Sequence, residues 1–248
     1  VHPDEFYKTL WDTITAGNLC GLVIEAWAQG RIDYELEYGD TDGIACLIEK
    51  IVKKEGIGKV LSQGILVASK EWGLEDLAIH VKGMEPAGYD PRVLKGMGLT
   101  FGTSPRGACQ LRTTFYKPEL SGMIPPDTIE GKAKMLVDYE DRLNIFDTLI
   151  FCRFYRDLYT WEELEKTITL ATGISFSTEK LRKIAANITT RTREFNLGEG
   201  LTSAEDRLPE RLHKQALPSG HELTGDEMEK MLNEYLQFTS SSLTHSDL

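Results

Sequence analysis

Polar caps, each ahead of an apolar stripe at helical spacing, constrain this chain to a stack of helices. Thr160 with Glu163 and Thr224 with Glu227 form the S/T-x-x-E pattern, in which hydroxyl and carboxylate satisfy the first free N–H groups of a helix. Ser177 opens a long helix to Asn196, with Gly198 beyond it. Asp4 can cap a helix carrying Phe6, Leu10, Trp11 and Ile14, continuing through Leu22, Val23 and Ala26 to a stop at Gly30. Asp40 or Thr41 opens the next, with Ile44, Leu47, Ile48, Ile51 and Val52 on one face and Gly56 as terminator. Further helices are expected over 59–72 and 127–149. No period-two alternation competes. The expected fold is all-α and multi-helical, with two lobes: a helical domain over 1–80, a second over 81–238, and a disordered polar tail over 239–248.

At 248 residues the chain can bury a core in each lobe. A formal charge of -11 and the lack of a basic stripe argue against a nucleic-acid surface. The longest apolar runs are too short to cross a bilayer, and a soluble, cytoplasmic protein is expected. VHPDEF has no signal-peptide character, and a first residue other than Met suggests a piece of something longer. Cys20, Cys46, Cys109 and Cys152 are too scattered for a zinc knuckle or a CxxC pair, and each alone reads as a small buried hydrophobe. The histidines, His2, His80, His213, His221 and His245, offer no metal-binding pair. Asn187-Ile188-Thr189 is a sequon inside a helical pattern and reads as accidental.

From Val81 to Gly107 the helical period fades into VKGMEPAGYDPRVLKGMGLTFGTSPRG, either a connector between lobes or an ordered functional segment. Its GMGLTFG looks like a phosphate loop, but no strand precedes it. SPRGACQLR places small residues beside two arginines and a thiol, and at Gly107 backbone can approach a ligand closely. Asp12 and Asp147 lie in apolar helical surroundings. Each reads as a helix cap, an internal salt bridge, or an acceptor for ligand N–H groups. Asp138, Glu140 and Asp141 read as a solvated face.

Together these segments resemble the tungsten-pterin aldehyde:ferredoxin oxidoreductase family. VKGMEPAGYDPRVLKGMGLTFGTSPRGAC is similar to its glycine-rich hallmark, LWDTITAGN to its GLDTIS-x-GN, DTLIFC to its D-x-x-G-L-C, and FNLGEGLTSAEDRLPERL to its closing segment. The resemblance spans about Tyr7 to Phe238 and implies the helical C-terminal portion of such an enzyme, without its N-terminal β domain. It implies a tungsten (or molybdenum) bis-pterin and a [4Fe–4S] cluster, both expected to be missing from an isolated fragment, which would then be inactive. By the same resemblance Asp12 and Asp147 hydrogen-bond the pterins, and Cys152 is the fourth cluster ligand, its three companions lying upstream of Val1. Gln110 and Arg112 lie near the substrate pocket. The implied partners are ferredoxin, a small aldehyde-like substrate and the parent's β domain, with a homodimer possible.

Four positions depart from the pattern. Tyr7 and Leu10 replace an acid and a glycine, and Ile150 replaces the glycine of the second pterin motif, where a β-branched residue takes a positive φ only at a cost. Gln110 replaces a histidine, and a Gln can hydrogen-bond but cannot carry a proton near neutral pH. These departures leave a second reading open, a non-catalytic helical module that kept the scaffold without the cofactor.

Overall fold

A computed structural model describes residues 12–241; the expected cap at Asp4, Tyr7, Leu10 and the end of the polar tail lie outside them. Among the described residues there are eleven α-helices and no strand, only an isolated antiparallel bridge between Val81 and Met84. The fold is all-α, as the caps and periodicity imply. The chain forms two units. The first comprises residues 12–88 with 106–108 and 208–215; the second comprises 89–105, 109–207 and 216–241.

The first unit is built on α1 (Thr13–Ala28), α2 (Thr41–Lys53), α3 (Gly58–Leu61) and α4 (Ile65–Trp72), with the short α10 (Glu210–Lys214) returning to it. Its core gathers Leu19, Val23, Leu47, Leu61 and Ala68. The helix expected over 59–72 is broken between α3 and α4, because Gly64 takes φ +91 there. α2 ends at Lys53, and Lys54, not Gly56, is its left-handed cap residue.

The second unit contains α5 (Lys95–Thr103), α6 (Tyr116–Leu120), α7 (Lys132–Thr148), α8 (Trp161–Thr172), α9 (Thr178–Gly198) and α11 (Gly225–Ser241). α7 packs against α5, α9 and α11. The glycine-rich stretch read as irregular chain contains α5, every residue of which is buried. Its glycines serve packing. A Cβ on Gly96 would lie 2.3 Å from the Phe115 ring, and one on Gly102 would lie 2.6 Å from Cε of Met228. Period analysis missed α5 because a helix buried all round has no polar face to alternate with.

At Thr160 half of the expected box forms: Glu163 N–H donates to Thr160 Oγ1 at 3.4 Å, while Glu163 Oε2 accepts from the Thr160 hydroxyl, not from its N–H. Glu227 N–H donates to Thr224 Oγ1 at 3.2 Å and Thr224 N–H to Glu227 Oε2 at 3.0 Å, which completes the box at Thr224. Ser177 Oγ accepts from Lys180 N–H at 3.2 Å. α7 starts at Lys132, later than expected, because Gly131 at φ +74 precedes it. Its C-terminus is a Schellman motif: Phe151 N–H donates to Phe146 O at 2.9 Å and Ile150 N–H to Asp147 O at 3.1 Å. The Phe146 and Phe151 rings meet edge to face at 5.7 Å, the apolar contact that accompanies such caps.

The motif forces Ile150 to φ +58, with the residue 92% exposed. The turn expected of a glycine is kept with an isoleucine in it. A left-handed non-glycine residue costs roughly 1–2 kcal/mol, and glycine adds back about 0.5–1 kcal/mol of unfolded-chain entropy. Ile150→Gly is therefore expected to stabilise the protein by about 0.5–1 kcal/mol in urea denaturation, since no packing is lost. A loss of stability would show that Ile150 contributes contacts that its exposure denies.

Candidate functional site

Each unit presents one of the two aspartates singled out in the sequence. In the first, Asp12 is the N-cap of α1. Its Oδ1 accepts from Ile14 N–H at 2.8 Å and Thr15 N–H at 3.3 Å, and its Oδ2 accepts from Thr15 Oγ1 at 3.3 Å. Thr15 Oγ1 also lies 3.0 Å from Glu85 Oε2, and Asn18 Nδ2 donates to Pro86 O at 3.3 Å. LWDTITAGN and VKGMEP, far apart in sequence, thus meet through Thr15, Asn18 and Glu85. None of the three was singled out as functional, although each stands in a quoted motif. Gly107 approaches protein, not open space: at φ +111, a Cβ there would lie 2.6 Å from Val81 O.

In the second unit, the last turn of α7 carries Asn144 and Asp147 three residues apart on one face. Arg112, in the turn after Cys109, donates from Nη1 to Asp147 Oδ2 at 3.2 Å and from Nη2 to Asn144 Oδ1 at 3.0 Å. Arg153, directly beyond the Schellman turn, donates from Nε to Asp147 Oδ1 at 3.0 Å and from Nη2 to Oδ2. Its Nη1 reaches the carbonyls of Leu111 and Arg112. Two arginines therefore clamp one carboxylate and tie SPRGACQLR to DTLIFC. Arg153 was missed in the sequence; adjacency to Cys152 was its only signal.

Cys152 follows in extended conformation, as an exposed free thiol. Gln110 lies two residues before Arg112 in the same turn, half-buried, with its carbonyl accepting from Thr114 N–H at 3.0 Å. The structure thus gathers Asp147, Arg112 and Cys152 at one end of α7, beside the turn that carries Gln110; Asp12 belongs to the other unit. Among the described residues no three His, Cys, Asp or Glu side chains stand together as a metal-binding group.

The donor set can be tested against the groups that the motifs imply. A carboxylate offers about four lone-pair sites. Asp147 uses three, which leaves one on Oδ1; Asp12 uses two on Oδ1, and its Oδ2 shares the single Thr15 hydroxyl hydrogen with Glu85, which leaves at least one site on Oδ2. Each can accept one N–H from an aminopyrimidine ring. Cys152 can supply one thiolate to an iron–sulfur cluster, which takes four.

The solvated face expected of Asp138, Glu140 and Asp141 is overturned for two of them. Glu140 is 4% exposed and Asp141 8% exposed. Burial first, and then mutual repulsion, holds Asp141 at a pKa of about 7. Asp138 keeps an outer position, accepting from Trp161 Nε1 at 3.0 Å and pairing with Arg182.

The helical architecture and the two motif-bearing units are those of one enzyme family. The chain belongs to the aldehyde ferredoxin oxidoreductase family: the model of its domains 2 and 3 matches residues 11–240. The tungsten-containing aldehyde ferredoxin oxidoreductase of Pyrococcus furiosus is 33% identical over 221 residues, covering 84% of this chain and 36% of that protein. Its counterpart in Thermococcus kodakarensis is 31% identical, with the same coverage of both chains, 84% and 36%. An aliphatic sulfonate oxidoreductase, WOR-like subunit, from Pyrococcus furiosus is 36% identical over 84 residues, 29% of this chain and 14% of that one. This chain spans about a third of the length of the aldehyde-oxidoreductase relatives. The fold recurs in the active site complex BamBC of benzoyl coenzyme A reductase, in complex with 1,5-dienoyl-CoA. The TM-score is 0.68 at 20% identity, covering 92% of this chain and 41% of that one. No described helix is long and apolar enough to cross a membrane.

Proposed function

We propose that this chain is the helical portion of a tungstopterin iron–sulfur oxidoreductase that converts an aldehyde to a carboxylic acid. The observation that carries the reading is the meeting of Asp147, Arg112 and Cys152 at the end of α7, in a chain 33% identical to a tungsten-containing relative. Aldehyde and water yield acid, two protons and two electrons, and the electrons pass to ferredoxin. A bound tungstopterin would supply the two-electron chemistry and an iron–sulfur cluster the outward path for electrons.

The chain's own residues bind and orient. Asp12 Oδ2 and Asp147 Oδ1 would each accept one N–H of a pterin, and the Arg112–Asp147–Arg153 clamp would fix the angle at which Asp147 does so. Cys152 would provide one of the four cluster thiolates. Gln110 can orient a polar group of the substrate but carries no proton, so protons would leave through another residue or through water. Without the remaining ligands and the β domain, the isolated chain is expected to be inactive. A cytoplasmic location and a homodimer accord with this reading.

The test is metal analysis of the full-length protein made without oxygen and with tungstate supplied. Tungsten and iron are expected together, iron falling in Cys152→Ser and tungsten in Asp147→Asn. Absence of both metals from the parent protein would overturn the enzymatic reading in favour of a scaffold that kept the helices and lost the cofactor.

A further inference from the structure

The second unit has an open groove of about 670 Å³ that the proposed reaction does not use. Asp141 of α7 stands in its wall, 8% exposed. Its Oδ1 meets Thr189 Oγ1 at 3.4 Å. Its Oδ2 accepts no hydrogen bond among the described residues and, unlike Glu119 Oε2, is not sealed from the surface. A carboxylate oxygen buried in this way is costly once ionised, unless a cation or an N–H donor reaches it.

The cations in the groove wall do not pair with it. Arg182 of α9 pairs with Asp138, and its guanidinium lies 4.5 Å over the Trp161 ring. Lys134, two turns earlier on α7, is exposed and forms no ion pair among the described residues. Two acids stand beside Asp141: Asp138 one turn back, and Glu140, whose Oε2 takes the Tyr235 hydroxyl from α11 at 2.8 Å. The rest of the wall selects the kind of cation. Met123, Val137 and Phe238 offer no oxygen to replace the hydration shell of a metal ion, which takes about six oxygen ligands. They offer apolar surface instead. Small-molecule sites of roughly 300–1,000 Å³ are built this way, mostly apolar with a few placed polar groups.

We propose that this groove binds a small organic ammonium ion, its N–H donating to Asp141 Oδ2 and its apolar body lying against Val137 and Phe238. Val137 is one turn before Asp141 on the same face of α7, which puts apolar surface next to the carboxylate. The site needs neither tungsten nor cluster, so it stands or falls separately from the reaction above.

Ligand-observed NMR titration of the purified protein with benzylamine and benzyl alcohol tests it. At about pH 8 benzylamine is protonated and Asp141 is ionised, so the ammonium ion is expected to bind about tenfold more tightly than the alcohol, which has the same body without the charge. Its affinity is expected to fall about tenfold on going down to about pH 5.5, where Asp141 holds its proton, while that of the alcohol stays level. Asp141→Asn is expected to remove the preference for the ammonium ion and to leave the alcohol unchanged, which also shows that the groove is intact. Phe238→Ala, which removes part of the apolar wall, is expected to weaken both probes about threefold. Equal affinity of the two probes for the unmodified protein overturns the proposal, as does a preference for the ammonium ion that survives Asp141→Asn. Phe238→Ala with no effect on either probe places the ligand outside the groove and overturns it too. Failure of benzylamine to bind at about pH 8 overturns it as well and leaves the groove to water.

Discussion

Lys132→Met is expected to destabilise the second unit by about 3–5 kcal/mol, the usual consequence of leaving one partner of a buried ion pair alone. Lys132 Nζ and Glu119 Oε1 are in contact, with both side chains fully shielded from solvent. The pair is tied into the backbone. Lys132 donates to Pro125 O at 2.8 Å, and Gly96 N–H at the start of α5 donates to Glu119 Oε1 at 2.8 Å. Burial is the leading influence on both groups, raising the Glu119 pKa and lowering that of Lys132. The low-dielectric surroundings therefore disfavour both ions, and the pair holds them charged only jointly.

Two further results follow from that balance. In Lys132→Met the lone Glu119 carboxyl has a folded pKa raised still further above its unfolded value. Stability is then kept at low pH and lost as pH rises through that folded pKa. Glu119→Gln leaves a lone Lys132, whose lowered pKa gives the opposite slope: stability is present at high pH and lost as pH falls through the folded value. The double change Glu119→Met with Lys132→Met is expected to cost much less than the sum of its parts, with a coupling of a few kcal/mol in a urea double-mutant cycle. Additive losses would show that the two side chains act independently.

Asp141→Asn has the other large expected effect, and it is a gain. The carboxyl titrates near 7 in the folded protein against an ordinary value of 3.8, because of burial first and neighbouring Glu140 second. A raised folded pKa contributes stability that is complete below the unfolded value and is lost as pH rises through the folded one. Stability should therefore fall between about pH 4 and pH 7 and level off above that, by as much as roughly 4 kcal/mol in all. Asparagine removes the charge and keeps an oxygen for Thr189, whose Oγ1 lies 3.4 Å from Asp141 Oδ1. The variant should match the unmodified protein at pH 4 to 5 and exceed it at pH 8. Glu140, raised in the same direction, leaves a residual slope of the same sign. Equal stability of the two proteins at pH 8 would mean that ionised Asp141 is solvated in a way that its burial does not allow.

Local chemistry was legible along the chain wherever a residue acts on its own neighbourhood. The box at Thr224 and the caps at Thr160, Asp40 and Ser177 depend on groups within three residues. The Schellman turn at Ile150 was less legible, because isoleucine carries no sign of a positive φ. α5 was lost because its glycines belong to packing against Phe115 and Met228, partners remote in sequence. Of the residues clustered at the end of α7, the motifs picked out Asp147, Arg112 and Cys152 but not Arg153, whose contacts depend on where the turn after α7 sends it.

What the sequence by itself determined is the all-helical class, the starts of α2, α8, α9 and α11 and the family, since capping, periodicity and motif spacing are properties of the chain read in order. Only the tertiary structure decided which polar groups are buried. Asp12 is a cap and Asp147 an ion-pair centre, two roles that sequence left open side by side. Glu140 and Asp141, on a helix whose pattern suggested a solvated face, lie inside. The physical reason is the same in each case. The charge state and hydrogen bonding of a side chain depend on the dielectric and the partners around it, and those come from segments distant along the chain.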